Sequence, residues 1–184
     1  LSKRPIVRII SGFLKSRRFS VPPGFPSRPT TDYAKEGLFN VLHHSVDLSD
    51  MRILDLCAGT GNLSFEFVSR GAGNIIAVDE NYRCTKFLKS NAIDLGIENQ
   101  YQVVRADCLL YLKGNTSKFD IIIADPPYAA DFHAQIVQLV QERELLHPDG
   151  ILIIEHGKQT DLSALTNFTF CRIFGNVHFS FFEA

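Results

Sequence analysis

No apolar run in this 184-residue chain approaches the roughly 18 residues that a helix needs to cross a bilayer. The basic start through Arg18 holds only the short apolar stretch Ile6 to Ile10, so neither a membrane span nor a secretory leader is predicted. No fixed period and no low-complexity segment is visible, which argues against solenoid repeats and long disorder. The four cysteines, Cys57, Cys84, Cys108 and Cys171, have no CxxC spacing. Scattered thiols in a core-forming chain read as reduced, small apolar residues and point to a cytoplasmic protein, with a zinc site as the competing reading. A hydrophobic content of 45% at this length suits one domain with an appendage better than two full-sized domains.

The net charge of −1 conceals an asymmetry. Up to position 35 stand eight basic residues, Lys3, Arg4, Arg8, Lys15, Arg17, Arg18, Arg28 and Lys35, against the single acid Asp32; that segment carries +7 and the remaining 149 positions −8. Such an end suits a polyanion. Ile9, Ile10, Phe13, Phe19 and Val21 interleave with the charges, so the segment should pack on something rather than trail free.

Val7 to Ser11 and Arg18 to Val21 read as short strands, and Pro22-Pro23-Gly24 with Pro26 and Pro29 marks a boundary near 22–29. The expected division is a basic arm over 1–29 and a main domain over 30–184. Thr30 or Thr31 should cap a helix carrying Tyr33, Leu38, Val41 and Leu42. Strands are then expected at Ile53–Leu56, Ile75–Val78, Tyr101–Arg105, Phe119–Ala124 and Ile151–Glu155. The intervening helices are expected at Leu63–Ser69, Tyr82–Leu95 and Phe132–Leu145. This alternation predicts an α/β fold with a parallel sheet covered by helices on both faces. Thr169–Phe174 and Val177–Phe182, joined by Gly175-Asn176, break the rhythm and read as an antiparallel hairpin. That ending suits a methyltransferase better than a dehydrogenase.

The first strand runs into Asp55-Leu56-Cys57-Ala58-Gly59-Thr60-Gly61-Asn62. A GxG at a strand-to-helix turn lets backbone approach a ligand, as dinucleotide enzymes do with GxGxxG. Here Ser64 stands where the third glycine would fall. Asp55 would repel a pyrophosphate and attract the ammonium end of a cationic cofactor, which disfavours a nicotinamide oxidoreductase. Asp79, 20 residues past Gly59 and beside Glu80, is placed to accept a ribose diol. Asp107 and Cys108, after the third strand, could meet an adenine amino group and cover its ring. Three acids at the ends of successive parallel strands mark the ligand edge of an open α/β sheet.

The fourth strand ends in Asp125-Pro126-Pro127-Tyr128. An amino group on a heteroaromatic ring is a poor nucleophile because its lone pair is delocalised. The Asp125 carboxylate and the Pro126 carbonyl can accept its two N–H bonds and stabilise the charge that develops on nitrogen. Pro126 and Pro127 hold that turn rigid, and Tyr128 offers a face for stacking. No metal is required.

Arg8-Ile9-Ile10-Ser11-Gly12, Val21-Pro22-Pro23-Gly24, Arg28-Pro29-Thr30-Thr31-Asp32, Lys35-Glu36, Leu38-Phe39-Asn40, the Asp55 to Gly61 loop, Ser69-Arg70-Gly71-Ala72 and Asp125 to Tyr128 together resemble the RsmD-type 16S rRNA (guanine-N2)-methyltransferase family over nearly the whole chain. The resemblance implies a class I, Rossmann-like, seven-stranded fold. It also implies S-adenosylmethionine as donor and a guanosine of 16S rRNA in partly assembled small subunits as acceptor. By position it implies that Asp55, Ala58, Gly59, Gly61, Asp79, Glu80, Asp107 and Cys108 hold cofactor, and that Asp125 to Tyr128 do the chemistry. The Arg28 to Asp32 segment would close over the site. Arg8, Lys15, Arg17, Arg18, Arg28 and Thr30 are the expected RNA contacts. Cys57 departs from a usual aromatic, Ser16 from a frequent glycine and Gly37 from a usual alanine; the last should cost its helix up to roughly 1 kcal/mol. A DNA adenine-N6 methyltransferase and a non-catalytic RNA-binding assembly factor are the rival readings, and a monomer is expected.

Overall fold

The computed structural model describes residues 5–127 and 129–184, so Lys3, Arg4 and the stacking role expected for Tyr128 lie outside the described residues. The order of elements is β1 (Ile6–Arg8), β2 (Arg18–Ser20), α1 (Asp32–His43), β3 (Arg52–Leu56), α2 (Ser64–Ser69), β4 (Asn74–Asp79) and α3 (Tyr82–Leu95). β5 (Tyr101–Arg105), α4 (Cys108–Gly114), β6 (Phe119–Ala124), α5 (His133–Glu142), β7 (Leu146–His156), β8 (Phe168–Phe174) and β9 (Val177–Glu183) follow. β3 to β9 form one seven-stranded sheet in the order β5-β4-β3-β6-β7-β9-β8, parallel until β9 and β8 enter antiparallel. This is the class I methyltransferase architecture expected above.

Side chains alternate across the sheet and sort into two cores. Ile53, Ile75, Ala77, Ile121 and Ile123 pack with Leu38 and Phe39 of α1, Phe65 and Phe67 of α2 and Leu88 of α3. Leu54, Leu56, Val78, Ile122 and Ala124 pack on the other face with Leu112 of α4 and Ile136, Val137 and Val140 of α5. Both faces of the central strands are therefore covered, which is why β3 and β6 read as nearly unbroken apolar runs. Among the described residues, no helix is long and apolar enough to cross a membrane.

Helix limits follow local chemistry. The Thr31 hydroxyl accepts the Ala34 N–H at the start of α1, and α3 stops at Gly96 in the left-handed region. α4 went unforeseen because seven residues are too few to show periodicity, and Asp107 caps it by accepting the Leu110 N–H. β7 begins at Leu146 rather than Ile151, because the β6/β7 register shifts between Phe119 and Ile121 and lets Leu146 pair with Phe119. Gly37 is corrected outright. A Cβ there would stand 2.2 Å from the Phe174 ring, so glycine makes room for β8 against α1 rather than merely weakening the helix. Ser16 has φ 73, which explains why glycine suits that position.

The arm is docked on the domain. Val7, Ile9, Leu14 and Val21 are buried, and the Phe19 ring meets Phe65 edge-on at 5.2 Å. The buried Glu66 carboxylate of α2 accepts the N–H groups of Ile10 (2.8 Å) and Ser11 (3.0 Å) and the Arg70 guanidinium (2.8 Å). Lys35, fully buried, pairs with Glu66 at 3.5 Å and donates to the Arg8 carbonyl and the Asn62 side chain. Burial lowers the Lys35 pKa, with Glu66 opposing that shift.

Candidate active site

β3 and β6 are the strands between which the chain order reverses, and such a switch point is where open α/β sheets place ligands. Leu56 pairs with Ala124, and the Asp125 N–H donates to the Leu56 carbonyl at 3.2 Å. The start of the proline turn is thereby tied to the start of the glycine loop. Both border a cleft of about 640 Å³ whose walls include Asp79, Glu80, Asp107, Cys108, Asp125 and Pro126. Pro127 lies on its rim, and residues 26–31 contribute to its lining as a strap. Asp55 and Ala58 line a small adjoining recess that also touches Arg28, Thr30 and Asp125.

Within the glycine loop, Cys57 and Gly59 have positive φ, and a Cβ on Gly59 would come within 2.3 Å of the Ser27 hydroxyl. The strap therefore rests on the loop. Gly61 does not border the cleft; its missing Cβ leaves room for Leu88 and Phe65. Asp79 accepts the Gly59 N–H (2.9 Å) and the Asn81 N–H (2.8 Å), one on each oxygen. A carboxylate has about four lone-pair sites, so acceptor capacity remains for a ribose. Asp107 likewise accepts one N–H, from Leu110, while facing the cleft.

The acids crowd one another. Burial pushes the Asp55 carboxyl up to about 7, with Asp79 and Glu155 adding to the rise and a Ser64 hydrogen bond opposing it. The Asp125 carboxyl is raised well above the usual carboxylate range by burial, then by Glu155 and Asp55. Such concentrated acidity favours a cationic ligand, so the donor set fits the ammonium and sulfonium of S-adenosylmethionine with a ribose and an amino-bearing ring alongside.

Sequence reasoning missed the supports of this site. Ser64 shares a 2.7 Å hydrogen bond with Tyr101 and holds Asp55; its only signal was a polar residue in the slot of the third glycine. Glu155, at the end of β7, accepts the Thr30 hydroxyl at 2.9 Å, and the Asn62 amide donates to the Thr30 carbonyl at 2.6 Å. These two contacts fix the strap, and nothing local in the sequence announces them.

The basic residues divide. Arg28 and Thr30 border the cleft. Lys15, Arg17 and Arg18 are exposed on the arm, where an Arg17 N–H donates to the Asp94 carbonyl. Arg8 is half-buried and pairs with Asp32 at 3.0 Å and Glu36 at 3.9 Å, so its cation is already engaged.

A family model described as "Conserved hypothetical protein 95" matches residues 7–183. The chain belongs to this family. It is 35% identical over 159 residues to the YlbH protein of Bacillus subtilis, covering 85% of each chain. It is 32% identical over 166 residues to the ribosomal RNA small subunit methyltransferase D of Haemophilus influenzae, covering 89% of this chain and 85% of that one. Among solved structures it superposes with a TM-score of 0.78 on the Thermus thermophilus 16S rRNA N2 methyltransferase RsmC in complex with AdoMet and guanosine. That match has 20% identity and covers 98% of this chain and 50% of that one. The family and the fold thus agree with the resemblance read from the motifs.

The raised Asp55 carboxyl makes a pH prediction. A cation in the cleft favours the ionised acid, so binding releases a proton wherever Asp55 is protonated beforehand. Affinity for S-adenosylmethionine should rise by up to about tenfold per pH unit for each coupled proton, levelling above the Asp55 value of about 7. Because the folded value exceeds the unfolded one, Asp55 also makes the ligand-free fold less stable as pH climbs from about 4 through 7. Calorimetric titrations across that window check it, and Asp55→Asn should lessen the slope, leaving the share that Asp125 contributes.

Proposed function

We propose that this chain transfers a methyl group from S-adenosylmethionine to the exocyclic N2 amino group of a guanosine in 16S ribosomal RNA. The substrate would be a partly assembled small subunit, and the protein would act as a cytoplasmic monomer. One observation carries the reading: the Asp125 carboxyl, tied through its backbone to the end of β3, faces the same cleft as Asp79 and Asp107. The names of the rRNA methyltransferase relatives support the substrate class.

In this proposal Asp55, Ala58, Gly59, Asp79, Glu80, Asp107 and Cys108 hold the cofactor, with Gly61 keeping the loop seated on α2 and α3. Bound there, S-adenosylmethionine supplies an electrophilic methyl on a sulfonium. Asp125 and the Pro126 carbonyl accept the two N–H bonds of the target amine, draw its lone pair out of conjugation and stabilise the positive charge growing on nitrogen. Asp125, or water beside it, takes the surplus proton. The Pro126-Pro127 turn limits reorganisation, and Tyr128 is the proposed stacking surface. The strap at 26–31 sheds water from the cleft. The base must leave its stack to arrive here, as bases do for enzymes that modify them.

The proposed division is an RNA-contacting arm over 1–29 and a catalytic domain over 30–184. Lys15, Arg17, Arg18 and Arg28 contact phosphate, while Arg8 braces the arm. Replacing Arg17 and Arg18 by alanine should lower the slope of log affinity against log salt by roughly one per lost contact. An unchanged slope would remove the arm from the RNA interface. A DNA adenine enzyme is disfavoured because the cleft-side connections, such as residues 80–81 and 125–132, leave no space for a recognition insertion. The experiment is methyl transfer to small ribosomal subunits and to duplex DNA in parallel. Labelled subunits support the proposal; labelled DNA alone transfers the chain to the rival class, and cofactor binding without transfer to either supports an assembly factor.

A further inference from the structure

Glu155 does more than hold the strap. It is only 3% exposed, yet it borders the cleft together with Asp125 and Pro126. The sheet sets its place. Ala124 of β6 is in register with Ile154 of β7, so the next residue of each chain segment, Asp125 and Glu155, emerges beside the other at the carboxyl edge. Ile123 and Ile153, two positions earlier, both pack on the α1 face, and alternation along the strand sends Asp125 and Glu155 toward that same face. Two contacts agree with this: Glu155 accepts the Thr30 hydroxyl at 2.9 Å, and Thr30 and Asp125 border one recess. The Glu155 charge also helps to raise the Asp125 carboxyl, as a close neighbour must. Next along β7, His156 is bonded through Nδ1 to the Gly157 carbonyl (2.9 Å) and through Nε2 to the Ser180 hydroxyl (2.8 Å), which clamps the strand end that carries the acid.

We propose that Glu155 reads the base held at Asp125 by accepting the N1–H of guanine, and so sets guanine apart from adenine in this cleft. The inference rests on the reading of the cleft as the site where a guanosine amine is methylated. On guanine the N1–H donor stands next to the 2-amino group, so an acceptor adjacent to the one that holds the amine is where N1–H arrives. A carboxylate offers about four lone-pair sites over two oxygens and can accept a hydroxyl and an N–H together. Adenine presents the reverse pattern: beside its amine N1 is a bare lone pair, which would face the lone pairs of the acid. Two acceptors confronting each other out of reach of water make a costly mismatch, and such mismatches reject a wrong base strongly. Asp125 and the Pro126 carbonyl carry no such choice, because they accept N–H bonds from the amine of either purine.

2,6-Diaminopurine isolates the contact: it keeps the 2-amino group of guanine but has a lone pair at N1. It also replaces O6 by an amino group, so the share due to Glu155 is read from the change on mutation. The nucleotide that the parent methylates is mapped, and small subunits are reconstituted with 16S rRNA carrying guanosine or the diaminopurine riboside there. kcat/KM on each is compared for the parent and its variants, with S-adenosylmethionine affinity measured separately by calorimetry. The parent should favour guanosine by about a hundredfold or more. In Glu155→Gln the amide oxygen can keep the Thr30 bond while its N–H turns to the N1 lone pair, so that preference should fall by about tenfold or more with cofactor affinity within a few-fold of the parent's. Glu155→Ala, which removes the acceptor without supplying a donor, should lower the preference too, by slowing guanosine more than diaminopurine. Thr30→Val breaks the strap contact and keeps the acid, so it should retain the parental preference whatever its rate. An unaltered preference in both Glu155 variants, or an equal fall in Thr30→Val, would overturn the proposal and leave the guanosine reading standing. A parent that transfers no methyl to guanosine in the subunits would overturn that reading, and this inference with it.

Discussion

Asp125→Ala should lower kcat for methyl transfer by about a hundred- to ten-thousand-fold while leaving S-adenosylmethionine bound, because its task arises only as the amine becomes cationic. The carboxyl sits at the mouth of β6, anchored by its own N–H to Leu56, so truncating the side chain leaves the turn in place. It also removes a buried acid that burial, Glu155 and Asp55 already hold far from its usual pKa. Asp55, Asp79 and Asp107 keep their carboxyls, so cofactor affinity should stay within a few-fold of the parent's. Asp125→Asn separates the two contributions: its amide oxygen can still accept one N–H but carries no charge, and it should recover only a small part of the rate. Single-turnover kinetics on small subunits, with cofactor titrated separately, makes the measurement. An Asp125→Ala enzyme of near-parental rate would remove Asp125 from the chemistry.

Lys35→Met should cost about 3 to 5 kcal/mol of stability, because it takes one of two cations from the fully buried Glu66 carboxylate, leaving Arg70, and strips the Arg8 carbonyl and the Asn62 side chain of their donor. For a chain of this size that corresponds to a melting temperature lower by roughly 6 to 20 °C. The effect should reach the active site as well. Lys35 also donates to Asn62, and Asn62 donates to the carbonyl of Thr30 in the strap, so cofactor affinity should fall in step. The double variant Lys35→Met, Glu66→Gln should regain only part of the loss, since it neutralises the buried acid but also takes the partner of Arg70. By contrast Arg8→Ala, which breaks an exposed pair with Asp32, should cost about 1 kcal/mol or less. Thermal unfolding of the four proteins decides the matter; a Lys35→Met protein within 1 kcal/mol of the parent would show the pair to be ornamental.

The contrast between those two sites shows what a sequence displays and what it hides. Period-two and period-3.6 patterns are local, so α3 over Tyr82–Leu95 and β5 over Tyr101–Arg105 were legible to the residue. The gathering of acids at the sheet's ligand edge was legible too, because Asp55, Asp79 and Asp125 each stand at or just past the end of an apolar strand. What stayed hidden is long-range. Lys35 looks like one more cation in a basic arm until α2 brings Glu66 against it, and Glu155 looks like a strand end until Thr30 folds over it. Gly37 misled for the same reason: propensity describes the helix alone, while the Phe174 ring arrives from a strand more than a hundred residues later. Arg8 was read as an RNA contact, yet Asp32 and Glu36 engage it.

The most direct test of the account is the identity of the methylated nucleoside. Small subunits from cells lacking this protein are incubated with it and labelled S-adenosylmethionine, and the RNA is digested and resolved by chromatography with mass spectrometry. The account predicts label in N2-methylguanosine from 16S rRNA, absent when Asp125→Ala replaces the parent. Label in another nucleoside, such as N6-methyladenosine, would contradict it.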